Sequence, residues 1–146
     1  MAETRIIKIG QDPDRTVELD MTAAFAIRRE VFCVEQGVSE AEEMDDRDEQ
    51  CRHFLAITAG VAIGTARTQT LPSGDTKIER VAVLKPHRRS GIGRLLMIHI
   101  MDTAPSNMVL NAQTAVQRFY AELGFVTEGA KFEEAGIEHI HMTKQG

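Results

Sequence analysis

Apolar residues recur at every second position in some stretches of the chain and at every third or fourth in others, and the two patterns follow a readable order. A short alternating run covers Arg5–Ile9. Asp20 is a suitable helix N-cap, and the stretch from Met21 to Gly37 carries Met21, Ala24, Phe25, Val31 and Phe32 at helical spacing. Ser39 to Gln50 breaks the pattern and is acidic and irregular, with room for one helical turn. The β-rich runs RHFLAITAG and VAIGTARTQT meet at Gly60, which predicts a hairpin. LPSGD is a second turn, and Thr76–Leu84 is a third β run that completes an antiparallel meander. GIGRLLMIHIMDTA predicts a helix stopped by Pro105, and NMVLNAQ a short buried strand. TAVQRFYAELG predicts a helix with Gly124 at its C-terminal cap. FVTEG and IEHIHMTK close the chain as strands around a turn.

This order contains one β-α-β unit. Strands 76–84 and 107–112 are therefore expected to run parallel with a right-handed crossover, and the other strands antiparallel. The fold class is α/β: a single domain over residues 1–146, with a mixed, mostly antiparallel sheet of six to seven strands flanked by about four helices.

Composition narrows the partners. A net charge of −5 gives no global pull toward nucleic acid or an anionic membrane. The absence of tryptophan and the low aromatic content argue against a stacking surface for single strands. No apolar run approaches the roughly 20 residues of a membrane span, and the N-terminus has no export-type apolar region, so a cytoplasmic protein is expected. Cys33 and Cys51 fit no metal spacing and are expected to stay reduced; Cys33, beside Phe32 and Val34, reads as a small buried residue rather than a nucleophile.

The candidate chemistry begins at VAVLKPHRRSGIGRLLM, from Val81 to Met97. A helix N-terminus offers unpaired N–H groups and a positive dipole end, and glycines let a ligand approach the backbone. Arg88, Arg89 and Arg94 would add charge-assisted hydrogen bonds. The pattern fits a pyrophosphate cradle or an ordinary strand–helix turn with solvent-facing arginines. It is neither a P-loop nor a dinucleotide fingerprint, because no Gly-Lys-Ser/Thr run exists and Leu96 stands where a third glycine would be needed.

RVAVLKPHRRSGIGRLL resembles the acetyl-CoA-binding motif of the GNAT N-acetyltransferase superfamily, matching it at Arg88, Gly91 and Gly93. VLNAQTAVQRFYAELGF resembles the second block of that family, matching at Tyr120, Gly124 and Phe125. EVFCVEQGVSEAEEMDDRDEQCRHFLA together with EAGIEHIHMTK is similar to a small bacterial branch of acyltransferases in this superfamily. The resemblance implies direct acetyl transfer from acetyl-CoA to an amine. It implies that backbone groups of Val81, Ala82 and Val83 hold the pantetheine arm. The amides of Arg88, Arg89, Ser90, Gly91, Ile92, Gly93 and Arg94 would hold the pyrophosphate. Gln113 stands where the family usually has asparagine, with Asn111 two residues earlier, and both are candidates for the cofactor.

Tyr120 is the candidate acid for the departing thiolate, its phenol pKa near ~10 suiting donation to sulfur. Glu79 is the candidate base, directly or through water; strict alternation puts it on the face of Val81 and Val83. His53, His139 and His141 are rivals because imidazole titrates near neutrality. His139 and His141 share a strand face, but two histidines without a third ligand make no metal site.

In the family the first helix and the following loop wall the acceptor, which makes Glu35 and Gln36 the substrate-side candidates. The carboxylates from Glu35 to Glu49 would draw a cationic amine or stand as a solvated loop. The expected partner is a small-molecule or peptide amine, with no nucleic acid, membrane or metal. Homodimers are common in the superfamily, but no stripe here marks an interface. Two alternatives stay open: an acyl-CoA-binding module without turnover, and a sugar-phosphate N-acetyltransferase.

Overall fold

The computed structural model describes residues 3–104 and 106–146. The strands are β1 (Thr4–Lys8), β2 (Arg52–Thr58), β3 (Val61–Thr70), β4 (Thr76–Val83), β5 (Met108–Gln113), β6 (Val126–Glu134) and β7 (Ile137–Lys144). They form one sheet in the order β1-β2-β3-β4-β5-β7-β6. Among the described residues only β4 and β5 are parallel neighbours, and the helix α3 (Ile92–Thr103) is their crossover, as the element order predicts. Pro105, expected to stop this helix, lies outside the described residues.

The helix α1 (Val17–Arg28) runs on as a π-helical segment, Arg29–Glu35, and is followed by the single turn α2 (Glu40–Glu43). The helix α4 (Gln117–Glu122) follows a 3-10 turn, Thr114–Val116, so the predicted last helix begins as a tighter turn. Asp20 is not the cap of α1. Thr16 occupies that position, and Asp20 lies in the first turn, where Arg15 pairs with it at 2.8 Å. The ion pair explains how a carboxylate is buried there; the positive helix end favours it as well.

Two cores hold the sheet. Leu96, Met97 and Ile100 of α3 pack on Ile63, Ile78, Leu110 and Met142 on one face. Ala24, Ile27 and Val31 pack on Leu55, Ile57 and Ala82 on the other. Each fully buried large side chain contributes about 1.5–3 kcal/mol. The exposed groups of α1 and α3 keep the helices amphipathic, so each face of the sheet has its own cover.

A bulge in β4 sets up the site. Thr65 pairs with Ala82 and Arg67 with Glu79, so β4 spends three residues where β3 spends two. Arg80, inside the bulge, has a left-handed φ of 55°. The extra residue reverses the alternation. Ile78, Val81 and Val83 pack toward the α3 core, while Ala82 belongs to the α1 core. Glu79 therefore does not share a face with Val81 and Val83, contrary to strict alternation.

The parallel pairing stops early. Thr76, Lys77 and Ile78 pair with Met108, Val109 and Leu110, and nothing beyond Ile78 pairs with β5. The backbone from Glu79 to Val83 keeps β3 on one side and has no strand on the other.

Candidate active site

The parting of β4 and β5 opens a cleft of about 790 Å³. Val81, Ala82 and Val83 line it with the free edge of their backbone, and Asn111, Gln113 and Tyr120 line it from the opposite side. Unpaired backbone inside a sheet needs polar partners. An extended ligand carrying amide groups would supply them, in the manner of an added strand.

Gly91 is the N-cap of α3 and holds φ at 81°, a conformation glycine adopts freely. Leu95 is the first amide to bond back, to the Gly91 carbonyl at 3.0 Å. The amides of Ile92, Gly93 and Arg94 precede it and have no intrahelical acceptor. A side chain built on Gly93 would make ordinary contact with Phe119, its Cβ 3.4 Å from the ring. Packing does not demand glycine there; the bare position instead leaves the helix end open to a bulky anion. Arg89 and Arg94 are exposed beside it. The residues present fit a pyrophosphate bound by helix-end amides.

Arg88 behaves differently from the expectation that it serves this cradle with its side chain. Its Nε donates to the Val83 carbonyl at 2.9 Å, and its two terminal nitrogens donate to the carboxylate of Glu35 at 2.8 Å each. The hydrogen bonds from Arg88 hold Glu35 below the usual carboxylate range. Gln113 likewise donates from its amide nitrogen to Gln36 at 2.8 Å. Glu35 and Gln36, expected to face the acceptor, thus reach one to each side of the parted strands.

Tyr120 is buried on α4, edge-on to Phe119 and Phe125. Burial pushes its phenol up to about 12. It lines the cleft, and its hydroxyl makes no hydrogen bond among the described residues. The Tyr-x-x-x-Gly-Phe block also has a local physical basis. Phe125 N–H bonds to the Tyr120 carbonyl at 3.1 Å and Gly124 N–H to that of Ala121 at 3.0 Å, with Gly124 at φ 99°. This is a Schellman ending, which fixes the last turn that carries Tyr120.

The acidic segment divides: Glu42, Asp46 and Glu49 are exposed, while Glu43, Asp45 and Asp48 turn inward to a network of arginines. Arg67, fully buried, donates to Asp45 at 2.9 Å, Asp48 at 3.0 Å and Glu79 at 3.2 Å. Arg28 pairs with Glu43 at 2.8 Å and Asp48 at 2.7 Å, and Arg80 pairs with Glu43 at 2.8 Å. Hydrogen bonds from Arg67 hold Asp45 well below the carboxylate range. At Asp48 burial raises the pKa, but Arg28 and Arg67 together outweigh it and the net shift is downward. At Glu43 burial wins over Arg80 and Arg28, and the pKa rises.

Arg28, Arg67 and Arg80 are the site-building residues that sequence reasoning missed. The available signal was Thr65-x-Arg67-x-Gln69, a polar face inside a β run, next in the fold to a carboxylate-rich segment. Glu79 faces that network: Gln69 donates to one of its oxygens and Arg67 to the other, with the Lys77 ammonium 3.8 Å away.

The histidines separate. His53 is buried with Nε2 on the Asp48 carbonyl at 2.8 Å. His141 bonds through Nδ1 to Asn111 Oδ1 at 2.7 Å and lines a smaller cavity of about 300 Å³. His139 lines the main cleft. Cys33 and Cys51 are half-buried, and burial pushes both thiols up, as expected of inert residues. Among the described residues no helix is long and apolar enough to cross a membrane.

Comparison with known proteins gives concordant matches. The family model for the acetyltransferase (GNAT) domain matches residues 17–145. The Bacillus subtilis protein YyaT is 38% identical over 138 residues, covering 89% of this chain and 92% of its own length. An N-acetyltransferase of the same organism described as uncharacterized, YjcF, is 35% identical over 132 residues, covering 87% and 94%. The structure of an acyl-CoA N-acyltransferase from Pseudomonas aeruginosa superposes with a TM-score of 0.81 at 25% identity, over 99% of each chain.

Proposed function

The chain belongs to the GNAT acetyltransferase family, and from that premise we propose that it transfers the acetyl group of acetyl-CoA directly to an amine of a small molecule or peptide. The observation that carries this reading is the backbone of Glu79–Val83, left without a strand on its β5 side beside a glycine-opened helix end, with Tyr120 lining the same cleft. The P. aeruginosa relative's description as an acyl-CoA enzyme supports it.

Acetyl-CoA, when bound, supplies an activated acyl carbon and a thiolate leaving group. The backbone of Val81, Ala82 and Val83 would hold the pantetheine amides. The amides from Gly91 to Arg94, with Arg89 and Arg94 beside them, would hold the pyrophosphate. Asn111 and Gln113 flank the arm. Arg88, already bonded to Glu35 and Val83, shapes the wall. Tyr120 stays protonated at working pH, so its hydroxyl is a ready donor to sulfur. Glu79, expected as the base, accepts from Arg67 at one oxygen and from Gln69 at the other, so its charge is turned to the arginine network.

A phenol kept free of protein partners favours turnover over a silent binding module. The sugar-phosphate alternative gains nothing from this segment, because Arg28, Arg67 and Arg80 are already paired with its carboxylates. The test is Tyr120→Phe. Turnover should fall about ten-fold or more while acetyl-CoA affinity stays within about two-fold. Unchanged turnover would reject the acid role, and failure of the wild-type chain to bind acetyl-CoA would reject the reading as a whole.

A further inference from the structure

We infer that His139 is the general base that takes the proton of the acceptor amine, a conclusion that rests on the acyl-transfer reading above. Nδ1 of His139 lies 2.7 Å from the carbonyl oxygen of Ile137. A carbonyl only accepts, so Nδ1 carries the proton, and in the neutral ring Nε2 presents a lone pair. The side chain is 11% exposed and stacks on Phe132 with centroids 5.9 Å apart and planes 22° from parallel, which fixes the direction of that lone pair. Among the three candidate histidines it is the one on the main cleft.

Glu79 on β4 and His53 on β2, two of the candidate bases, are engaged by other groups. The oxygens of Glu79 already receive Arg67 and Gln69. Nε2 of His53 is bonded to the Asp48 carbonyl.

The surroundings of His139 also suit a base that must become positive. Glu134 of β6 is 4.0 Å from Nε2. From β5 the register partner is the neutral Gln113, and the stacked Phe132 is uncharged. Glu138, the next residue on the strand, is drawn to Thr114 and Lys131 instead.

The step balances within the groups named. The ammonium gives a proton to Nε2 of His139. The amine nitrogen then bonds to the thioester carbonyl carbon, the carbon–sulfur bond breaks, and the sulfur takes the proton of Tyr120. The nitrogen still carries two hydrogens as it bonds to the carbon; the second passes through solvent to the Tyr120 oxygen as the amide forms, which restores the phenol, and His139 loses its proton to solvent.

The experiment compares wild type, His139→Gln and Glu79→Gln. It uses acetyl-CoA calorimetry, and turnover from about pH 5.5 to 9.5 with whichever of spermidine, glucosamine and a glycyl peptide is acetylated fastest. His139→Gln should bind acetyl-CoA within about two-fold of wild type. It should lose about 10²–10⁴-fold in kcat, more than Glu79→Gln, and should lose the acidic limb of the wild-type profile. A kcat within about three-fold of wild type with the limb intact would overturn the assignment and leave the acyl-transfer reading standing. Binding of acetyl-CoA without turnover of any amine, or no binding at all, would overturn both. Nitrogen NMR of the imidazoles in the wild type gives a readout free of any folding defect: His139 should show a protonated Nδ1 and a bare Nε2, and the reverse tautomer would overturn the inference.

Discussion

Both carboxylate oxygens of Glu35 lie 2.8 Å from the guanidinium of Arg88, and this pair ties the end of the π-helical segment to the loop that follows β4. Its neighbour Gln36 makes the matching tie to Gln113 at the end of β5. Two consecutive residues thereby span the opening between the strands.

Glu35→Ala should cut one of these ties at little cost in stability. The partners are 23% and 38% exposed, so the loss should be about 1 kcal/mol or less. Hydrogen exchange at Arg29–Gln36 should nonetheless quicken, and raised salt should have the same effect on the wild type. Exchange that stays unchanged in both would show that the pair does not hold the segment. Arg88 lowers the Glu35 pKa. The pair's contribution is therefore present above the unfolded carboxylate value of about 4.3 and fades as pH falls through the lower folded value.

Gly93→Ala separates packing from ligand approach. A Cβ there would stand 3.4 Å from Phe119, an ordinary contact, so the melting temperature should hold or rise by a few degrees, since alanine suits a helix better by about 1 kcal/mol. Acetyl-CoA affinity should fall at least about ten-fold, because the methyl group would crowd the helix-end amides. Equal affinity in calorimetry would show that the ligand does not approach this position.

Arg67→Met removes the centre of the buried network. Asp45, Asp48 and Glu79 would lose their shared partner, and breaking such a group from one side costs about 3–5 kcal/mol. Urea unfolding should show that loss as a lower midpoint. A change under about 1 kcal/mol would mean that the carboxylates find water or other partners readily.

His53→Gln should flatten the acid side of the stability curve. Burial lowers the His53 pKa, so the folded state binds fewer protons than the unfolded one just below the ordinary value of about 6.5. That contribution is whole above about pH 6.5 and is lost as pH falls toward the lower folded value. Thermal melts from about pH 7 to 5 should show a shallower slope in the variant, and parallel slopes would remove His53 from the account.

The order of elements, the parallel β4–β5 pair and the glycine-marked start of α3 were all legible, because each rests on short-range rules: alternation, helical spacing and glycine punctuation. Tyr120 was legible through the block that also encodes its Schellman ending. The face of Glu79 was not, because one inserted residue at Arg80 reverses the parity of everything after it, and no local propensity marks that insertion. The roles of Glu35, Gln36 and Arg88 depend on side chains from elements far apart in the chain meeting across a gap. The arginine network was hidden for the same reason: Arg28, Arg67 and Arg80 come from three separate elements.

The bulge also bears on how sequence change would act on this cleft. Deleting Arg80 changes no functional group of the proposed reaction, yet it would restore the ladder count between β3 and β4. Either Val81, Ala82 and Val83 would each turn through the sheet, presenting valines to the α1 core and alanine to the α3 core, or the loop into α3 would shorten by one step. A one-codon length change at this point would thus act as a switch of handed-out faces for the whole strand end, whereas a substitution at the same place would alter the pairs with Glu43 and Asp45 and leave the register alone. Chains of this architecture should therefore tolerate a different residue at the bulge far better than a missing one.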